Sequence, residues 1–260
     1  MAVRTNSPPN KTFRFIKLNH PILDAHALLG AENHLRLEAE ELLRRMDAHG
    51  VETAIARPMG AELAVGNEAG NNRVLKAHRR IRGMATVNPW LGGKAIEELN
   101  RCRDLGAVGL FLHPSRQGFM PTDAVVPPIL DWAAATGWPV MFHTGSYVES
   151  DILAVGEVAR KYPQTAFIAG FGGFTDMWFE LPGVMDDVAN LHFDTSMMWG
   201  DAIQPIIEKH GDRVIWGSAE PRNRYAVTLK SIERLALSRE QSRAVFQDNA
   251  KLSQPFDCIP

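Results

Sequence analysis

Apolar residues recur along this chain in two alternating rhythms: short unbroken runs closed by Gly, Pro, Asn or Asp, and longer stretches in which they return every three or four positions. The first rhythm predicts buried strands and the second amphipathic helices. Pro21 to His26 carries Ile22 and Leu23 and predicts a first strand with His26 at its carboxyl end. Leu35 to His49 then sets its leucines and Met46 at helical spacing among Glu38, Glu40, Glu41, Arg44 and Arg45, with Gly50 as the stop. Further strands are predicted at Val51 to Arg57, closed by Pro58, and at Ile81 to Val87, Ala107 to Leu112, Pro139 to Phe142, Thr165 to Ala169, Leu191 to Asp194 and Arg213 to Gly217. Helices are predicted at Asn67 to Arg80, Lys94 to Leu105, Val125 to Thr136, Ile152 to Tyr162, Met177 to Ala189, Ala202 to His210 and Tyr225 to Leu237. Eight strand-then-helix units predict an α/β protein, a single-domain (β/α)8 TIM barrel over residues 21–260, after a polar N-terminal lead-in over residues 1–20. An open doubly wound sheet would carry a glycine fingerprint after its first strand, which Gly30 alone does not supply.

Composition agrees with that architecture and removes several function classes. The 260 residues suit one barrel, and 45% hydrophobic with 22% charged residues is the balance of a globular protein. A formal net charge of −2 without a basic block excludes nucleic acid and anionic membrane as expected partners. No apolar run reaches membrane-spanning length. The N-terminal stretch with Arg4, Lys11 and Arg14 has no apolar signal core, so the expected location is cytoplasmic. Cys102 and Cys258 stand far apart and form no CxxC, which excludes a zinc knuckle or a disulfide framework.

In such a barrel the loops after the strands surround one mouth, so functional groups collect at strand carboxyl ends. His26, His113, His143, Asp194 and Glu220 fall at or near those ends. Imidazoles with a carboxylate suit a hydrolytic metal site, and equally suit a metal-free polar pocket. His20, His34, His49, His78, His192 and His210 are expected to be ordinary polar residues. Met197 and Trp199, with Phe171, Phe174, Trp178 and Phe179, either line an apolar pocket or bury a subunit interface. Arg116, Arg222 and Arg224 lie in mouth loops, where a guanidinium either clamps a carboxylate or is simply solvated. No Gly-x-Ser-x-Gly elbow is present, so a serine hydrolase has no support.

Four segments taken in order carry a resemblance: Gly109-Leu110-Phe111-Leu112-His113-Pro114, Pro139-Val140-Met141-Phe142-His143-Thr144-Gly145, Ala169-Gly170-Phe171-Gly172-Gly173 and Phe193-Asp194-Thr195-Ser196. With Leu23-Asp24-Ala25-His26 before them, they make the chain similar to the amidohydrolase-related proteins. The branch it resembles includes aminocarboxymuconate-semialdehyde decarboxylase and related aromatic-acid decarboxylases and lactonases. The resemblance implies a barrel whose metal is held by a pair of histidines on the first strand, one on the fifth, a catalytic histidine on the sixth and an aspartate on the eighth. Here His26 and His143 match two of these, whereas Leu28, Gly170 and Ala219 stand at the second, fourth and fifth positions.

A zinc site needs about three protein ligands. The expectation is therefore an incomplete set, either without metal or with a weakly held zinc, manganese or iron if Glu220 or His113 completes it. Three readings follow: an enzyme of this lineage acting on a small polar or carboxylated molecule, with His143 and Glu220 as catalytic groups; a catalytically silent homologue that binds a ligand or pairs with a complete one; and an ordinary metal-dependent hydrolase. The expected partners are a small-molecule ligand held by His26, His113, Phe171, Asp194, Met197, Trp199 and Arg222, and either a second copy or a catalytically complete homologue.

Overall fold

A computed structural model describes residues 20–252, apart from residue 146 and the side chains of residues 175 and 176. The expected lead-in lies outside the described residues except for His20. The first strand, β1 (Ile22–Glu32), runs well past His26 and turns back into a short β2 (Leu35–Leu37) before α1 (Ala39–His49). Next come β3 (Val51–Pro58), α2 (Asn67–Leu75), the pair β4 (Ile81–Gly83) and β5 (Ala85–Thr86), and α3 (Gly93–Asp104). β6 (Leu110–Leu112) leads into the single turn α4 (Pro114–Gln117) and then α5 (Pro127–Thr136), followed by β7 (Val140–His143) and α6 (Ile152–Lys161). β8 (Phe167–Gly170), α7 (Phe174–Met177), α8 (Leu181–Asp187), β9 (Leu191–Asp194) and α9 (Gly200–His210) follow. β10 (Val214–Ile215), α10 (Tyr225–Glu233) and α11 (Arg239–Phe246) complete the described elements.

The strands form two runs, β2-β1-β3-β4 and β10-β9-β8-β7-β6-β5, parallel except for β1 with β2. Backbone hydrogen bonds join the runs at both margins. β4 and β5 are one stave interrupted at Met84, whose N–H donates to Ala56 O at 2.9 Å while Val108 N–H donates to Gly83 O at 3.0 Å. At the other margin Ala25 N–H donates to Trp216 O at 3.0 Å, Ala219 N–H to His26 O at 2.7 Å and Leu28 N–H to Glu220 O at 2.8 Å. Eight staves therefore close into the (β/α)8 barrel, with the eighth continuing beyond Ile215. Strands buried on both faces need continuous apolar sequence rather than alternation, which is what the short runs supply. Leu23, Ile55, Phe111, Met141, Ile168 and Ile215 fill the interior, while a larger apolar shell lies between staves and helices.

One irregularity sets up the mouth. Between Asp24 and Ala27, β1 advances three residues while β3 advances two, from Ala54 to Ala56. Such a bulge re-aims side chains. Asp24 goes to the side of α10, where its carboxylate accepts from Ser218 N–H (2.8 Å), Ser218 Oγ (2.6 Å) and Tyr225 Oη (2.8 Å), and from His26 N–H (3.1 Å). His26 faces Phe111 and Phe171 inside the barrel.

Two predicted helices come out differently. Leu35 to Leu37 pairs antiparallel with Gly30 to Glu32, because Leu35 and Leu37 alternate about Arg36 and Asn33 takes the left-handed conformation (φ 51°) that a tight hairpin requires. The stretch predicted as one helix from Met177 to Ala189 is broken into separate turns, with Pro182 in the first turn of α8, where its missing N–H costs no hydrogen bond. No helix among the described residues is long and apolar enough to cross a membrane.

Asp24→Ala removes the acceptor shared by both margins of the seam and strands buried donors on Ser218 and Tyr225. The expected cost is about 2–4 kcal/mol, read as a lower midpoint in urea denaturation.

Candidate active site at the barrel mouth

The mouth is organised by a carboxylate at the end of β9. Asp194 Oδ2 accepts from His26 Nδ1 at 2.7 Å and from Phe171 N–H at 2.8 Å, and Oδ1 accepts from Ser196 N–H at 2.8 Å. Burial pushes this carboxyl up, but His26 and the backbone donors outweigh it and hold Asp194 below its ordinary value. The approach is so close that a Cβ on Gly217 would stand 2.3 Å from Asp194 Oδ1 and 2.8 Å from the His26 Cβ, so only glycine fits there. Phe171, whose N–H completes the cradle, is held at φ 67°, a conformation that non-glycine residues adopt at a cost of about 1–3 kcal/mol.

The other ring nitrogen of His26 is also engaged. Arg57 Nε, from the end of β3, donates to His26 Nε2 at 2.8 Å. Nε2 is thus the acceptor and Nδ1 carries the proton, which makes His26 neutral. Burial lowers its affinity for a second proton, against the opposing pull of Asp194. The chain of contacts runs from carboxylate through neutral imidazole to guanidinium.

Arg57 itself is only 2% exposed. Its Nη1 donates to Pro58 O at 3.0 Å, and its guanidinium lies 4.1 Å above the Phe111 ring and 5.7 Å from that of Phe171. Nη2 meets no acceptor among the described residues. Burial lowers Arg57 to about 9, with Arg222 and Arg116 adding to the effect and Glu32 and Asp194 opposing it, so the charge persists at neutral pH. Beside it, Glu32 at the end of β1 accepts from Arg116 of α4 on one oxygen and from Arg222 on the other.

His113 and His143 stack with ring centroids 3.9 Å apart, and His143 meets the Phe171 ring edge-on at 4.8 Å. Burial first pushes both well below the ordinary imidazole value; after it comes the other imidazole for His113 and Arg57 for His143, so both are neutral at pH 7. His143 Nδ1 is buried and has no hydrogen-bond partner among the described residues.

Six of the expected site residues therefore converge: His26, His113, His143, Phe171, Asp194 and Arg222. Asp194 serves as the buried holder of His26 rather than as a pocket wall. Met197 is half-buried and Trp199 is 68% exposed on the rim. Glu220 does not join them. Ala219 takes a left-handed conformation (φ 57°), the strand alternation ends there, and the Glu220 carboxylate accepts from Arg45 of α1 and from Tyr225 N–H at 3.0 Å, away from the mouth. Arg57 and Glu32 are absent from the residues expected at the mouth. Arg57 carries the same signal as His26, a polar residue closing an apolar run, whereas Glu32 gives no signal until the length of β1 is known.

The residues present do not fit the divalent metal that the resemblance implies. Both nitrogens of His26 are occupied, Leu28 pairs in register with Arg57, Gly170 pairs with His143, and Ala219 carries only a methyl group. Among the described residues no three His, Cys, Asp or Glu side chains are grouped to hold a metal ion. The Glu220 carboxylate, taken up by Arg45 and Tyr225 N–H, is not grouped with His26 and His143.

A family model described as amidohydrolase matches residues 34–251. No curated protein matches the chain. Among solved structures, a 5-carboxyvanillate decarboxylase from Novosphingobium aromaticivorans DSM 12444, with bound manganese and 3-methoxy-4-hydroxy-5-nitrobenzoic acid, superposes with a TM-score of 0.75 at 16% identity, over 93% of this chain and 98% of that one. A probable 2-pyrone-4,6-dicarboxylic acid hydrolase from Acinetobacter baumannii, with citric acid bound, gives 0.71 at 15% identity, over 89% and 98%. A 2,6-dihydroxybenzoate decarboxylase from Rhizobium gives 0.70 at 17% identity, over 91% and 98%. At these identities the likeness establishes the fold.

Gly217→Ala is expected to separate Asp194 from His26, to lower stability by about 1–3 kcal/mol and to remove the downfield imidazole proton of that pair from the NMR spectrum. Acid sensitivity follows from the buried imidazoles. His26, His113, His143 and His192, the last lowered to about 4, take up protons in the unfolded chain that they refuse when folded. Their contribution to stability is complete above about pH 6.5 and is lost as the pH falls below it, by up to about 1.4 kcal/mol per pH unit for each group. Asp24, raised to about 6 by burial, acts oppositely, its contribution being lost as the pH rises through 6, and one group does not offset four. The urea midpoint is expected to drop between pH 7 and pH 5, with a shallower drop in His143→Gln.

Proposed function

The chain belongs to the amidohydrolase family, and from that premise we propose that its barrel mouth binds and acts on a small carboxylated molecule without the divalent metal. The single observation that carries this reading is the Arg57 guanidinium on His26 Nε2 at 2.8 Å. It puts a fixed positive charge on the nitrogen that a metal-binding histidine would have to offer. Further support comes from structural neighbours named for acting on carboxylated rings, a pyrone dicarboxylic acid, a carboxyvanillate and a dihydroxybenzoate. Within the family, the branch of aromatic-acid decarboxylases and lactonases is the one this reading favours, with a degenerate metal site.

Arg57 would place its charge and the open Nη2 against a developing oxyanion, where a preorganised donor acts strongly in a site shielded from water. His143, neutral and with an unpartnered Nδ1, is the group with a lone pair to accept a proton from an attacking water. Those roles suit hydrolysis of a ring ester bearing a carboxylate: water adds to the carbonyl, its proton passes to the imidazole, and the ring oxygen leaves with that proton. A second reading, a ligand-binding or partner subunit in a homo- or hetero-oligomer, draws on the exposed Tyr147, Phe179 and Trp199.

Protein purified without chelator is expected to carry well under one equivalent of zinc, manganese or iron by elemental analysis, and chelator to leave its activity on carboxylated lactones unchanged. His143→Ala should then lower the rate by about 10² to 10⁴. Stoichiometric metal that is required for turnover would sink the metal-free reading.

A further inference from the structure

Among the described residues that these hydrogen bonds join at the mouth, the charges are unequal. Three guanidinium groups, Arg57, Arg116 and Arg222, stand with two carboxylates, Glu32 and Asp194, and the imidazoles are neutral, so one positive charge is left over. Its location is defined by the pairing. Glu32 gives one oxygen to Arg116 and the other to Arg222. Asp194 is filled by His26, Phe171 and Ser196. Arg57 has its Nε on neutral His26 and its Nη1 on a carbonyl, so among the described residues no carboxylate touches it. A buried cation without a direct counter-ion is unfavourable, and an incoming anion removes that penalty. Around it, Phe111 and Phe171 present apolar faces.

We propose that the site selects a monocarboxylate on an apolar body, and that Glu32 is the residue that sets this charge. The idea rests on the carboxylated-ligand reading above and adds a specificity determinant to it. The ligand's carboxylate takes one N–H of Arg57 Nη2, and the other stays for the developing oxyanion. Glu32, buried between Arg116 and Arg222, already holds the place that a second ligand carboxylate would need. A dicarboxylate must therefore displace Glu32 or leave one of its own charges unpaired.

The test is calorimetric titration of the full chain with benzoate, isophthalate and benzamide, in the natural protein and in Glu32→Gln. In the natural protein benzoate is expected to bind at least about tenfold more tightly than either isophthalate or benzamide. In Glu32→Gln the ratio of isophthalate to benzoate affinity should rise at least about tenfold, since two unpaired arginines then accept the second carboxylate. Should that variant not fold, Arg222→Gln serves instead: with the surplus charge cancelled, benzoate affinity should fall at least about tenfold toward that of benzamide. Carboxylate binding with an unchanged charge preference overturns the role of Glu32 and leaves the carboxylated-ligand reading standing. No binding of either carboxylate by the natural protein or the variants overturns both.

Discussion

Everything at the mouth of this barrel depends on keeping a guanidinium buried. A lone cation in a protein interior is costly unless opposite charge and hydrogen bonds surround it. Arg57 meets that demand by relay: Asp194 fixes the tautomer of His26, and His26 turns its free lone pair to Arg57. The aromatic rings of Phe111 and Phe171 add their negative faces without claiming hydrogen bonds. Glycine at position 217 and the strained backbone of Phe171 are accommodations to the same end, since both let Asp194 sit close enough to act. The neutrality of His113 and His143 comes first from their burial, and the fixed cation beside them adds to it.

A guanidinium and a metal ion are not equivalent occupants. Both attract anions and stabilise developing negative charge. Only the metal generates hydroxide by acidifying a bound water, whereas arginine keeps its protons and offers directional donors. Under the proposed reading, the chemistry left to such a site is of the kind in which the substrate supplies its own reactivity, as a strained or electron-poor ester does, and the protein supplies orientation, charge and a neutral base. The barrel architecture shared with manganese-containing neighbours is compatible with either occupant, because strand ends converge on one point whatever residue stands there.

Most of the barrel could be read from sequence because strands buried on both faces leave continuous apolar runs, and because the helices between them keep their spacing. His26, His113, His143 and Asp194 were legible for a topological reason: residues that close such runs must face the mouth. The same rule applied to Arg57, but an arginine before Pro58 reads as a strand terminus. Glu32 was hidden by the hairpin, since its position depends on β1 continuing beyond the point where apolar patterning suggested an end. The direction of Glu220 turned on one backbone angle at Ala219, and nothing in an Ala-Glu-Pro sequence announces a left-handed alanine.

The bulge in β1 has a consequence for the order of assembly. It sends Asp24 to one side of the first stave and His26 to the other, so the residue that fastens the seam and the residue that carries the relay are two positions apart. Asp24 reaches Ser218 across 194 residues of chain, and His26 reaches Asp194 across 168. Contacts so distant in sequence form late in folding, after nearer staves have paired. Until the last stave meets the first, Arg222 is not placed on Glu32 and the three mouth arginines are not yet brought together. Under the proposed reading, the anion-attracting centre is therefore a product of ring closure itself.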